Sequence, residues 1–243
     1  EEVFVCGSTT DVTPVVTKPA ARGRHTLVYD NARRKVVLFG GWNGGHLQDT
    51  WEWDGTAGTW TDVTPAGAKP TARCYHAMAY DSARDRAVLF GGWDGVYRDD
   101  TWEWNGATGT WPDVSPAGAR PVNRYGHAMA YDDVRGEILL FGGGGVSYRQ
   151  DTWKWDGAAG TWTDVTPVGA KPVPRVYHAM AYDSDRGKAA VFGGYDGTFI
   201  WSDIWEWDGG VLVTPGQVMQ IPFTAAGISP APGWQSLAVE FVA

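Results

Sequence analysis

The sequence predicts an all-β protein built from four-stranded sheets repeated around an axis, and three observations carry that prediction. Glycine and proline number 33 and 14 beside 15 tryptophans, a mixture that suits short strands joined by tight turns. Helical periodicity is nearly absent, while period-two alternation and short apolar runs recur. One unit also repeats: His25, His76, His127 and His178 stand 51 residues apart. The same step separates Gly40-Gly41, Gly91-Gly92, Gly142-Gly143 and Gly193-Gly194, and also Trp51, Trp102 and Trp153, with Trp205 one residue late.

In the first unit HTLVYD (25–30) alternates and runs into the turn-rich NARR, and KVVLFGG (35–41) is an apolar run closed by two glycines. DTWEWDG (49–55) and GTWTDVTP (58–65) flank a short turn, which makes four strands. The units span 22–65, 73–116, 124–167 and 175–215 of a single domain, 1–243. A lone four-stranded sheet leaves both faces wet, so neighbouring sheets are expected to stack radially as propeller blades. The fourth unit departs: after Trp207 the outer stretch shrinks to GGVLVTP (209–215), which predicts a short outer strand. Beyond it QVMQIPF (217–223) and SLAVEFVA (236–243) lack the marks of the repeat, whereas STTDVTP (8–14) matches TWTDVTP (59–65) one step later. Two closures follow. Segments 1–14 and 217–243 make a composite fifth blade, or the N-terminal strand completes the fourth blade and 217–243 forms a separate tail.

The units read RGRH…LFGG…DTWEWDG…GTW, RCYH…LFGG…DTWEWNG…GTW, RYGH…LFGG…DTWKWDG…GTW and RVYH…VFGG…DIWEWDG. This pattern, over roughly residues 22 to 210, resembles the kelch repeat of β-propellers. The resemblance implies a kelch-type propeller. It leaves function open, because such propellers host enzymes, lectin-like binders and protein-recognition modules.

Lys plus Arg is 20 and Asp plus Glu 28, a formal charge of −8, which argues against nucleic acid and against an anionic membrane surface. No run of about 18 apolar residues exists to insert in a membrane. The chain opens EEVFVCGSTT, without a signal peptide or initiator Met, and reads as a processed or trimmed start. Cys6 and Cys74 make neither a disulfide framework nor a CxxC site, and no Asn-x-Ser/Thr is present.

Eleven of the tryptophans fall at repeat-equivalent positions, and stacking blades is their expected task. A histidine in every unit at one offset is what packing predicts, so neither metal nor cofactor is expected. Arg22, Arg73, Arg124 and Arg175, three residues before the histidines, read either as a structural clamp or as a ring of cations at the mouth. The mixed-sign segments DNARRK, DSARDR, DDVRGE and DSDRGK read as solvated turns. No GxSxG, Walker-type or HExxH arrangement occurs.

Connections between second and third strands, and between blades, emerge at the same end of such a ring. The former vary far more than the strands they join and carry Trp42, Asn43, His46, Trp93, Asp94, Tyr97, Arg98, Tyr148, Arg149, Tyr195, Asp196, Phe199 and Trp201. The blade connections add Arg73, Tyr75, Arg124, Tyr125, Arg175 and Tyr177. Aromatic plates beside planar hydrogen-bonding groups suit a glycan or a peptide. The expected function is therefore a binding propeller at the cell surface or outside the cell, recognising a glycan or protein through that end. Two rivals stand beside it: a small-molecule enzyme of the isomerase, lyase or specifier type using Arg and His at the mouth, and a surface polymer joined through the terminal strands.

Overall fold

Each repeat becomes one antiparallel sheet, in a computed structural model that describes residues 11–14, 17–209 and 235–236. The first blade pairs β1 (Thr26–Asp30), β2 (Lys35–Trp42), β3 (His46–Asp54) and β4 (Thr59–Asp62) in chain order. The second has β5 (Ala77–Asp81), β6 (Arg86–Phe90) and β7 (Thr101–Trp104). Its expected fourth strand is reduced to the bridges Trp102↔Asp113 and Asn105↔Thr110. The cause is Pro112, which stands where the first and third blades have Thr61 and Thr163 and brings no N–H to the ladder. The third blade is complete, with β8 (Ala128–Asp132), β9 (Glu137–Phe141), β10 (Thr152–Asp156) and β11 (Thr161–Asp164).

The fourth blade holds β12 (Ala179–Asp183), β13 (Lys188–Phe192), β14 (Ile204–Trp207) and β15 (Gln235–Ser236). Its outer position is thus taken by two residues of the C-terminal segment, in register Trp205↔Ser236 and Glu206↔Gln235. That differs from completion by the N-terminus, and the expected outer strand at 209–215 lies, beyond Gly209, outside the described residues. Residues 1–10, 210–234 and 237–243, on which the composite fifth blade depends, lie outside the described residues, and Asp11–Pro14 forms no strand.

The core is distributed as three clusters, one at each junction between blades. At the first junction Val37 and Phe39 meet Met78, Leu89, Trp104 and Trp111. Eight of the eleven repeat tryptophans, all but Trp51, Trp53 and Trp60, therefore do the stapling expected of them, each ring removing on the order of 200 Å² from water, about 5 kcal/mol gross. Their N–H groups also cross the junctions: Trp111 donates to Thr50 Oγ1 at 3.0 Å and Trp162 to Thr101 Oγ1 at 2.9 Å.

Three main-chain bonds complete each junction. At the first, Arg73 N donates to Leu47 O, Gly41 N to Arg73 O, and Tyr75 N to Arg24 O, at 2.8–3.0 Å, and the set recurs at the other two. These contacts explain the glycine pairs. A Cβ on Gly40 would lie 2.8 Å from Arg73 O, so only bare backbone lets the next blade dock there, while one on Gly41 would lie 2.9 Å from Gly23 O and His25 Cβ at the start of its own blade.

Three of the four mixed-sign segments are anchored by a buried aspartate, while the fourth, at 183–188, is solvated as expected. Asp30, Asp81 and Asp132 are buried, bonding the turn amides of Arg33, Arg84 and Arg135 and pairing with their side chains. Asp30 also accepts a 2.7 Å bond from Tyr80 of the next blade. One position of these turns is left-handed, φ 56° at Arg34 and 54° at Asp85, where the third and fourth blades carry Gly136 and Gly187. Arg34→Gly is expected to stabilise the protein by roughly 0.5–1 kcal/mol, raising Tm by about 2 °C in thermal unfolding.

Candidate functional site

The loops converge as expected, and at their centre one residue of each blade forms a main-chain relay. Tyr75 N donates to Arg24 O, Gly126 N to Tyr75 O, and Tyr177 N to Gly126 O, all four residues at φ between 57° and 63°. For Arg24, Tyr75 and Tyr177 that conformation costs about 1 kcal/mol each, and it aims their side chains into the mouth. The rings of Tyr75, Tyr125 and Tyr177 stand in a triangle with centroids 5.3–6.0 Å apart. Tyr97 stacks on Tyr125 at 5.3 Å and 14°, and the Arg24 guanidinium lies 4.8 Å over Tyr75. Tyr75, Trp93, Tyr97 and Tyr125 bound a cavity of about 190 Å³. Burial, then contacts with the other tyrosine hydroxyls, raises the phenol pKa of Tyr177 and Tyr125, so both stay neutral hydrogen-bonding groups.

Around this cavity the aromatics continue from blade to blade. His46 sits edge-on between Trp42 and Trp93, 4.8 Å from each. Beside it burial would raise the Asp94 pKa, but bonds from Arg98 and Thr71 outweigh that and hold it below the carboxylate range. On the far side Tyr148 reaches Tyr195 at 6.3 Å. Asp196 caps its own loop through the amides of Thr198 and Phe199 and fixes the Trp201 indole at 2.8 Å, while Phe199 is exposed. Asn43 is exposed and Arg149 half-buried at the edges of the site.

Arg73, Arg124 and Arg175 do not belong to the site. Their side chains are fully buried and fork onto Asp100, Asp151 and Asp203 at 2.6–2.9 Å, with a further bond to the carbonyl of Gly91, Gly142 or Gly193. They are clamps, and no face is left for a ligand. The repeat histidines also turn inward: His76, His127 and His178 pack edge-on against Phe39, Phe90 and Phe141 of the preceding blade. These three arginines and three histidines are thus buried, while Arg24, His46 and Arg98 stay partly or fully exposed at the mouth. Among the described residues no cluster of three His, Cys, Asp or Glu could hold a metal ion, and no helix is long and apolar enough to cross a membrane.

Two residues that shape the mouth were missed from the sequence. Arg24 shares the position of Tyr75 and Tyr177 in the repeat, which is the signal that could have found it. Gly144 stands where other blades carry Trp42, Trp93 and Tyr195, and a Cβ there would meet Tyr125 and Tyr148 at 3.0 Å. The loss of that ring, visible as GGGG at 142–145, lets Tyr125 and Tyr148 fill its place.

Residues 81–232 match the KLHDC2/KLHL20/DRC7 Kelch-repeats domain, and residues 6–152 the Attractin/LZTR1 beta-propeller. The chain belongs to the kelch-repeat β-propeller family. Among curated proteins, this kelch propeller is 27% identical over 206 residues to Mei4-dependent protein 6 of Schizosaccharomyces pombe, covering 74% of this chain and 29% of that protein. It is 29% identical over 212 residues to Kelch repeat-containing protein 2 of Saccharomyces cerevisiae, 78% of this chain and 24% of that one. It is 28% identical over 178 residues to Multiple epidermal growth factor-like domains protein 8 of Mus musculus, 69% of this chain and 6% of that one. The kelch propeller thus spans less than a third of these relatives.

Proposed function

We propose that this chain is a protein-recognition module that holds an extended segment of a partner polypeptide across the tyrosine-lined mouth. The stacked Tyr97–Tyr125 pair and the cavity beside it carry the reading. Ring faces of that kind cover Cα–H and proline surfaces, and the neutral hydroxyls bond main-chain groups of a strand or polyproline helix. Membership of a family whose propellers generally mediate protein–protein interaction supports it. We place the module outside the cell, a setting with which the relative named for epidermal growth factor-like domains is compatible.

The test is panning of a random linear peptide library against the protein, with a glycan array run in parallel. Enriched peptides are expected to lose about tenfold or more in affinity on Tyr97→Ala and on Tyr177→Ala, as anchors at a recognition site do. Enrichment insensitive to both substitutions, or binding on the glycan array alone, would overturn the peptide reading.

A further inference from the structure

Two Asn-Gly pairs occupy positions that other units give to aspartate. Asn43-Gly44 stands where the second and fourth units carry Asp94-Gly95 and Asp196-Gly197. Asn105-Gly106 stands where the first, third and fourth carry Asp54-Gly55, Asp156-Gly157 and Asp208-Gly209. Asparagine is among the thermolabile residues, and one followed by glycine is open to attack by its own main chain, since no side chain shields the glycine nitrogen. The two pairs share that local chemistry, and the fold treats them differently.

Asn105 is held. Its Oδ1 accepts from the amides of Ala107 and Thr108 at 3.1 and 3.4 Å, and its main chain exchanges bonds with Thr110. A Cβ on Gly106 would fall 1.9 Å from the guanidinium of Arg33, which therefore covers that glycine and is itself tied to Asp30 and Glu52. Asn43 has none of this. It and Gly44 are exposed, and a Cβ on Gly44, at φ 105°, would meet nothing within 4 Å. Asn43 N donates to Gly45 O at 3.2 Å, but the Asn43 side chain and Gly44 N make no hydrogen bond among the described residues. Thr71 and Arg98, which hold Asp94, are replaced by Ala20 and Leu47 in the first unit, so two substitutions in its own blade release Asn43.

We propose that Asn43 is a self-modification site, at which the side-chain amide is lost without an enzyme and a carboxylate takes its place at the edge of the mouth. Gly44 N gives its proton to water or hydroxide and bonds to Asn43 Cγ. The Cγ–Nδ2 bond breaks, and ammonia leaves with a proton taken from water. A second water then adds to either carbonyl of the resulting succinimide, opening the ring to aspartate or to isoaspartate. The net change consumes water and releases ammonia, with no change of oxidation state. Aspartate is the residue that the second and fourth blades already place there, so the fold accommodates that product. Isoaspartate instead lengthens the main chain by a methylene within the loop.

Peptide mapping by mass spectrometry tests this on the full chain, aged at body temperature and neutral pH. The peptide holding Asn43 is expected to gain the mass difference between an amide and an acid several-fold faster than the peptide holding Asn105. In urea the fold no longer separates the two pairs, and both are expected to convert at similar rates. Asn43→Gln, whose longer side chain would have to close a six-membered ring, should abolish the change in that peptide and leave Asn105 as it was. Folded protein in which Asn43 keeps its amide, or in which Asn105 converts as fast, would overturn the proposal. So would a mass change that persists in the same peptide of Asn43→Gln. None of these readouts depends on peptide binding at the mouth, so this result and the recognition reading stand or fall separately.

Discussion

Acidification from pH 7 to pH 5 is expected to remove about 4 kcal/mol of stability through His76 and His178 alone, two of three buried histidines that the fold keeps neutral. His76, His127 and His178 are buried, each edge-on to the phenylalanine of the blade before it. Burial lowers their pKa, and the neighbouring Arg73, Arg124 and Arg175 lower it further; His76 falls to about 3 and His178 to about 4. In the unfolded chain the same imidazoles bind a proton near pH 6.5. Below that pH the unfolded state holds more protons, so stability is complete above about 6.5 and is lost as pH falls toward 4.

His76 and His178 give a slope approaching about 3 kcal/mol per pH unit, to which His127 adds in the same direction, against a total of roughly 5–15 kcal/mol for an ordinary domain. Cooperative unfolding is therefore expected between about pH 5 and pH 4, where the histidine contribution is lost. Burial raises the pKa of Asp100 and Asp151, but arginine bonds outweigh it and hold both low; their contribution, present above the usual carboxylate range, is lost only at still lower pH. Urea denaturation followed by tryptophan fluorescence at pH 7, 6 and 5 measures the slope, and His127→Gln should reduce it by one proton. A free energy at pH 5 within 1 kcal/mol of that at pH 7 would show that the histidines charge inside the fold.

The strands were legible because the repeat prints them four times, so that His25, Gly40-Gly41 and Trp51 mark a sheet before any contact is known. The stapling role of the indoles was legible for the same reason. Partners across the blade were harder to read. Arg124 and Asp151 lie 27 residues apart in separate loops, and only the parallel stepping of Arg73 with Asp100 hints that they meet. The buried aspartates of the first three charged turns were harder to read, because sign mixing suggests solvation, whereas the tyrosine of the next blade covers Asp30. The mouth was legible as a set of loops, but its arrangement depends on residues in unlike positions. Tyr75 and Tyr177 share a place in the repeat, Tyr125 sits one residue earlier, and Tyr97 comes from a different loop. Pattern alone does not bring those four rings together. Closure depends on faces, and a face is open or covered only once the blades are placed.

Arg124→Ala is expected to destabilise the protein by about 3–5 kcal/mol, the usual cost of breaking a buried ion pair by removing one partner. Every face of the guanidinium is in use: Nε donates to Val122 O, one amino group to Gly142 O and Asp151, and the other to Asp151. Truncation leaves the Asp151 carboxylate with the Trp153 indole as its remaining side-chain donor, and leaves Gly142 O without its arginine bond. Arg124→Lys recovers little, since an ammonium cannot supply the planar fork. The main chain of Arg124 also makes two of the bonds between the second and third blades, to Arg98 O and from Gly92 N. Loss of the clamp therefore loosens the loop that carries Tyr125, and peptide affinity should fall with stability even though Arg124 never touches the mouth. Arg124→Ala combined with Asp151→Asn separates the terms in urea denaturation. Removing the stranded charge should restore part of the loss, and a single substitution costing under 1 kcal/mol would mean that the clamp is not what holds the loop.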